Sequence, residues 1–486
     1  MNTTNFICRV LIFAIVIFGL CSCTENQVPS TIRIYKAPTG EKLSKLCKVF
    51  IEKVETPVYE AKVAPANDAD RWRAMDDKTN SAYFHEFAAF TYFDMKDTAQ
   101  IKIVYPEKVS FAKIVPESAG IEPIVESNTV SFTIHEPKPL TVEINGDWIH
   151  SLHLFANPFE TNIPDPNDPN VIYFAPGIHE ISHLEVGDNQ TVYIAGGAIV
   201  RAVIKPNEDY KISSYSGLKT YSPSISLKGK NIKICGRGII DASACTTHAR
   251  NMIAAEGENI QIEGIILRDP STWTVPIRKS KNVDINNLKL IGYRANSDGI
   301  DICNSFDVTI RNCFLRTLDD LIVIKTPNHK GESGRIKALQ CVLWNACAHA
   351  LSLGAEITNT IEDVLFKDCD IIHDEGRNWA LRIYQSDGAL VHNIRFEDIR
   401  IEQTRKFASL WIGEAVWSKD KTRGNIKNIV FKDIDVKGSP LNIDFIGFDN
   451  EHKIDSVLIQ NVILNGHSIS EKHIHSNDFV ENIIID

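Results

Sequence analysis

Asp298, Asp319 and Asp320 are the residues best suited to chemistry in this chain, standing in the runs Asn296–Asp301 (NSDGID) and Leu318–Thr326 (LDDLIVIKT). Two carboxyl functions facing one sugar can divide the work of glycoside hydrolysis: one donates a proton to the leaving oxygen and the other activates water. Asp319 follows Asp298 by 21 residues, His349 follows Asp320 by 29, and Arg382 follows His349 by 33. If the chain winds in coils of about that length, all five project from one face. Adjacent Asp319 and Asp320 would repel each other if both were ionised and desolvated, so one pKa should rise, as a general acid requires. Laterally offset residues on neighbouring coils can hold such carboxyls far enough apart to admit a water.

The element that would hold such a column is visible as a repeat. Asn or Asp, then Val or Ile, any residue and an apolar residue recur at Asn231, Asn259, Asn282, Asp307, Asp363, Asn393, Asn428 and Asn482, with further copies near Ile336 and at Ser456–Ile459. Each unit alternates apolar and polar with period two, and many continue into a second strand after Gly, Asn or Asp. Strands recurring every 23–35 residues, with no helical periodicity between them, predict a parallel β-helix whose coils stack about 4.8 Å apart around an apolar column. Cys313, Cys341 and Cys369, spaced by 28 and 28, would stack in that column as small apolar fillers.

Residues 30 to 150 lack the repeat. Short strand candidates at Ile32–Tyr35, Val49–Glu52, Phe87–Phe93, Ile101–Tyr105, Phe111–Val115, Val130–Ile134 and Leu140–Ile144 are separated by turns, which predicts a small antiparallel β-sandwich. Leu152–Pro158 and the proline-rich Ile163–Pro169 segment read as the joint, and residues 151–486 as the β-helix. The whole is therefore all-β, a right-handed parallel β-helix preceded by a sandwich.

Residues 1–22 do not belong to this fold. Arg9, the apolar run Val10–Leu20 and small residues ending in Leu20-Cys21-Ser22-Cys23 read as a secretory signal, too short for a spanning helix. The ending resembles a bacterial lipobox, which implies acylation of Cys23, residues 23–29 as a tether, and a bacterial cell-envelope location. The net charge of −10, with both signs interspersed, shows no basic patch for nucleic acid. The eight cysteines beyond Cys23 form no CxxC pair and fit no zinc site.

The ordered motifs resemble a known family. NSDGID, LDDLIVIK, Ala348-His349-Ala350 followed by Leu351–Gly354, and Arg382-Ile383 match in order the NTDG, DDCIAIK, GHG-SIGS and RIK motifs of glycoside hydrolase family 28, the polygalacturonases. Asp269–Trp273 is similar to that family's SPxW segment. The sandwich, followed by FAPGIHEI (174–181) and VYIAGGA (192–198), looks more like family 49, the dextranases and isopullulanases. The resemblance implies inverting hydrolysis of an α-linked poly- or oligosaccharide without cofactor or metal. Asp319 would be the acid, Asp298 and Asp320 would activate water, and His349 would hydrogen-bond the acid. Arg382, Tyr384, Trp273, Asn296 and Lys325 would contact substrate. Tyr384 stands where polygalacturonases have the lysine that helps grip a uronate, and Ala348 and Ala350 replace glycines. A calcium-dependent β-helix lyase and a tethered glycan-binding protein remain the competing classes. Taken singly, Asp298 is a common turn residue and Arg382 a common surface charge; their joint order carries the reading.

Overall fold

The computed structural model describes residues 30–76 and 84–486. The signal segment, the tether and Cys23 lie outside the described residues. The chain forms a right-handed parallel β-helix capped along one side by a β-sandwich.

The repeat sets the coil. All eight Asn or Asp residues that open it adopt a left-handed backbone, with φ of 54–58°. These two residue types visit that region most readily among those with a Cβ, so each marks a turn between two strands. A second set of such turns, at Asn287, Asn312, Gln340, Asp368, Asp398, Asp433 and Asn461, opens the third strand of successive coils. The side chains stack as a ladder: Asn231 donates to Asn189 at 2.9 Å, Asn259 to Asn231 at 2.9 Å and Asn282 to Asn259 at 2.7 Å.

Three parallel sheets result. The first pairs Val275, Ile300, Ile322, Leu351, Leu381 and Ala408 rung upon rung. The second stacks Ile260, Val283, Val308, Ile336, Val364 and Ile394. The third stacks Ile266, Lys289, Phe314, Val342 and Asp370. Inward residues of all three form one buried apolar column. Cys313, Cys341 and Cys369 lie in it fully buried, each on the rung above the last, and all eight cysteines of the described residues are free thiols.

The sandwich differs in detail from the sequence expectation. Its two sheets have six and five strands, and a nine-residue helix, Asp68–Asp76, lies beside them. Leu152–Pro158, read as a joint, belongs to the central strand Asp147–Pro158, which crosses the 150/151 boundary and pairs with Glu86–Met95 in parallel rather than antiparallel. The physical reason is that the chain crosses to the other sheet between these two strands and returns in the same direction. Residues 159–170 connect to the first coil strand, Val171–Phe174.

The sandwich sits on the third sheet. There the outward side chains Ile199, Ile239, Ile266, Phe314 and Trp344 are apolar, and they bury against Tyr59, Phe90, Tyr92 and Phe155. Ion pairs flank this contact: Arg268 Nη1 is 2.7 Å from Glu41, and Arg237 Nε is 2.8 Å from Asp94. The first sheet is left uncovered, and its outward face carries the polar column.

Candidate functional site

Register converts sequence intervals into neighbours. Val275, Ile300, Ile322, Leu351 and Leu381 share one inward column, so the residues two before them, Trp273, Asp298, Asp320, His349 and Trp379, share an outward one. Backbone bonds fix it: Thr274 N donates to Asp298 O (2.9 Å), Gly299 N to Asp320 O (2.7 Å) and Leu321 N to His349 O (2.9 Å). Asp301, Ser352 and Arg382 lie three residues along on the same face, and Lys325 and Tyr384 two beyond that. The alternation of a strand points Asp301, Lys325, Ser352, Arg382 and Tyr384 outward while the intervening isoleucines and leucines fill the core; Asp298, Asp320 and His349 stand in the turns just before their strands, outside that alternation.

Asp298, Asp319 and Asp320 converge, each offering an oxygen within 4.8 Å of the others. This corrects the expected lateral offset. Asp298 and Asp320 are direct rung neighbours rather than laterally offset, so the strand spacing of about 4.8 Å sets their distance. A second correction concerns His349. Its Nδ1 lies 2.6 Å from Asp320 Oδ1 and not on Asp319, because the shared register places it above Asp320. Asp319 instead accepts from Asn296 Nδ2 (3.2 Å) and from the Asp320 backbone N–H (3.0 Å).

The protonation states follow from these partners. Arg382 Nη1 lies 3.1 Å from His349 Nε2. A guanidinium can only donate, so Nε2 accepts and the imidazole proton sits on Nδ1, where it is donated to Asp320. Burial, helped by the Arg382 cation, outweighs Asp320 and holds His349 below its ordinary pKa, and therefore neutral. Burial would raise Asp320, but His349, Lys325 and Arg382 outweigh it and hold that carboxyl below the usual range. Burial and the Asp320 charge push Asp319 up to about 7. Burial and the Asp319 charge push Asp298 well above the carboxylate range.

Lys325 is the counter-charge. Its ammonium lies 3.3 Å from Asp298 Oδ2 and 3.1 Å from Asp301 Oδ1, and 4.0 Å from the ring centre of Trp273. With Asp298 and Asp319 protonated and Asp301 and Asp320 ionised, the charges of Lys325 and Arg382 match those of the carboxylates. The three aspartates have the ligand types and approach to chelate a metal, but Asp298 already shares one oxygen with Lys325.

The other sequence candidates are also gathered here. Arg382 is sandwiched, its guanidinium carbon 3.8 Å from the ring centre of Tyr384 and 4.8 Å from that of Trp379. Tyr384 meets Trp411 edge-on at 4.9 Å. Trp273 has cations near it from both Lys325 and Arg278, which limits it as a sugar platform. Lys325, expected to contact substrate, is engaged by aspartates instead. Two residues escaped sequence reasoning: His248, whose Nε2 lies 3.0 Å from Asn296 Oδ1, and Tyr215, whose ring lies 5.2 Å from that of Trp417. Both sit on loops outside the repeat, where no periodic signal could mark them.

The structure defines a parallel β-helix protein with a desolvated carboxyl cluster on one sheet. Residues 224–481 match the model of glycosyl hydrolases family 28, and the chain belongs to that family. Among solved structures it is similar to Dex49A from Penicillium minioluteum (13% identity, 93% of this chain and 96% of that one, TM-score 0.61). It is also similar to a hyperthermoactive exopolygalacturonase from Thermotoga maritima (17%, 65% and 84%, TM-score 0.52). A third is the polygalacturonase from Erwinia carotovora ssp. carotovora (16%, 63% and 89%, TM-score 0.50). At these identities the likeness establishes the fold. Dex49A spans the sandwich as well, in keeping with the family 49 features of the N-terminal half.

Proposed function

We propose that this glycoside hydrolase cleaves an α-linked, pectin-type poly- or oligosaccharide with inversion, using Asp319 as general acid and Asp320 as general base. One observation carries the reading: two adjacent carboxyls are held in opposite protonation states, Asp319 raised to about 7 and Asp320 lowered. A single proton-charged acid beside an ionised base is what single-displacement hydrolysis consumes. Asp298 and Asp320 approach to 4.8 Å or less, a gap one water can span at about 2.7 Å from each. Asp320 takes that water's proton while Asp298, whose Oδ1 has no protein partner, helps to hold it. Arg382 and His349 keep Asp320 ionised. The close carboxyl spacing thus serves inversion with the water between two aspartates rather than between acid and base.

The test is hydrolysis of polygalacturonate, rhamnogalacturonan and neutral α-glucans, with the product anomer followed by NMR. Asp319→Asn should lower kcat by about 100- to 10,000-fold. Retention of configuration, or full activity in that variant, would refute the assignment. Activity on polygalacturonate would mean that Arg382 grips a uronate without the family lysine. We further propose that Cys23 is acylated and tethers the protein to the bacterial envelope. Loss of fatty-acid labelling in Cys23→Ser is the expected result.

A further inference from the structure

The groove over the first sheet has two walls, one of loops entering the strands and one of loops leaving them. Tyr215 belongs to the entering wall, in the segment before Ile225–Gly236; Trp417 belongs to the leaving wall, in the segment after Ile412. Their parent strands start seven rungs apart, at Ile225 and Ala408, about 34 Å at the usual strand spacing. The two rings nevertheless meet at 5.2 Å.

Both loops are built to lean inward. Asp420 in the leaving loop pairs with His329 at 2.8 Å, which draws it back toward the rung of Ile322. Asp387 accepts from the Asp420 N–H at 2.8 Å, and buried Arg423 ties the loop from within, bonding Gly413 O (2.9 Å) and Ser418 Oγ (3.0 Å). On the other side the Tyr215 ring stacks on His248 at 6.1 Å, and its side chain hydrogen-bonds Asn296. Asn296 in turn donates to Asp319 at 3.2 Å. A continuous line of contacts therefore runs from Trp417 through Tyr215 and Asn296 to the acid.

We propose that Tyr215 and Trp417 form an aromatic bridge over the catalytic carboxylates, so that the site accepts chain ends and short oligosaccharides and excludes the interior of a long polymer. The substrate consequence rests on the hydrolase reading above. A polymer cut at an internal bond must leave the groove in both directions, and a span joining opposite walls obstructs one of them. A chain end needs only one exit, and the bridge presents ring faces on which a terminal sugar can stack.

Two experiments on the full protein separate the parts. In Trp417→Tyr, photo-oxidation should yield intramolecular dityrosine between positions 215 and 417; its absence overturns the bridge. On polygalacturonate and dextran, solution viscosity is followed against reducing ends released. The native protein should release short products with little loss of viscosity, and Trp417→Ala or Tyr215→Ala should raise the viscosity lost per bond several-fold. Rapid thinning by the native protein overturns the inference while leaving the hydrolase reading intact. Dityrosine formation with no hydrolysis of either probe or of their short oligosaccharides overturns the claim about chain ends together with the hydrolase reading, and confirms the bridge alone.

Discussion

Lys325→Met tests whether the site's electrostatics work as described. The ammonium is buried and its strongest contact is Asp301, at 3.1 Å. Two unit charges at that distance interact by about 5 kcal/mol at an effective dielectric of about 20. The folded variant can escape much of that loss by protonating Asp301. With Lys325 present, burial holds Asp301 up at about 6, against about 3.9 for a free carboxyl. A carboxyl raised on folding contributes stability that is complete below its unfolded pKa and lost as pH rises through its folded one. In the native protein that loss is finished a little above pH 6; without Lys325 it continues. The variant should therefore fall behind by about 1.4 kcal/mol for each pH unit above about 6, reaching about 1 kcal/mol at pH 7 and about 3 at pH 8. Asp298, already protonated there, adds little difference. Calorimetric Tm values of both proteins from about pH 4.5 to about pH 8 decide it, as the gap must widen with pH. A gap that is constant, or widest in acid, would refute the reasoning.

Two further outcomes follow from the same contacts. His349→Ala removes the hydrogen bond that keeps Asp320 ionised, worth about 1.5–3 kcal/mol, so the acid limb of kcat/KM should rise by about 1–2 pH units. An unmoved acid limb would leave His349 with a packing role only, and His349→Gln, which can still donate, should recover part of the shift. Asn259→Val places a β-branched residue at φ 58° and breaks two rungs of the asparagine ladder, and should cost about 2–3 kcal/mol in denaturant unfolding. Asn259→Gly, free to adopt that φ, should cost distinctly less.

The β-helix was legible because its turns are chemical. Asn and Asp at left-handed positions recur once per coil and leave a mark that survives the loss of every other similarity. The polar column was legible for the same reason, since parallel stacking makes residues one coil apart in sequence neighbours in space. What sequence could not give was register to a single residue. That unit decides whether His349 meets Asp319 or Asp320, and whether the carboxyls are offset or stacked. Nor could it show the irregularity between Ile324–Thr326 and Leu353–Ile357, where two extra residues displace Glu356. The sandwich was read only in outline: Val54–Thr56 and the helix Asp68–Asp76 carry too little periodicity, and Tyr59–Val63 alternates strictly but over five residues alone. Tyr215 and Trp417 meet through loop lean, a tertiary property with no local signature.

The apolar seam between sandwich and solenoid bears on how this molecule comes apart. A solenoid is a one-dimensional stack in which each coil is stabilised mainly by its two neighbours, so melting begins at an end and travels. Here the seam grips every coil from Ile199 to Ile372, a span that contains Asp298, Asp319, Asp320 and His349. Beyond it the sandwich holds the later coils by charge: the buried Glu402 carboxylate takes Lys113 and the Glu117 N–H, and exposed pairs join Lys437 to Glu117 and Arg405 to Asp68. Exposed pairs are weak and screened by salt. The coils after about Leu390 are thus the end from which a melting front starts, and the seam is where it stalls. Hydrogen exchange should show protection falling away toward the C-terminus while the catalytic rungs stay closed, most clearly at high ionic strength.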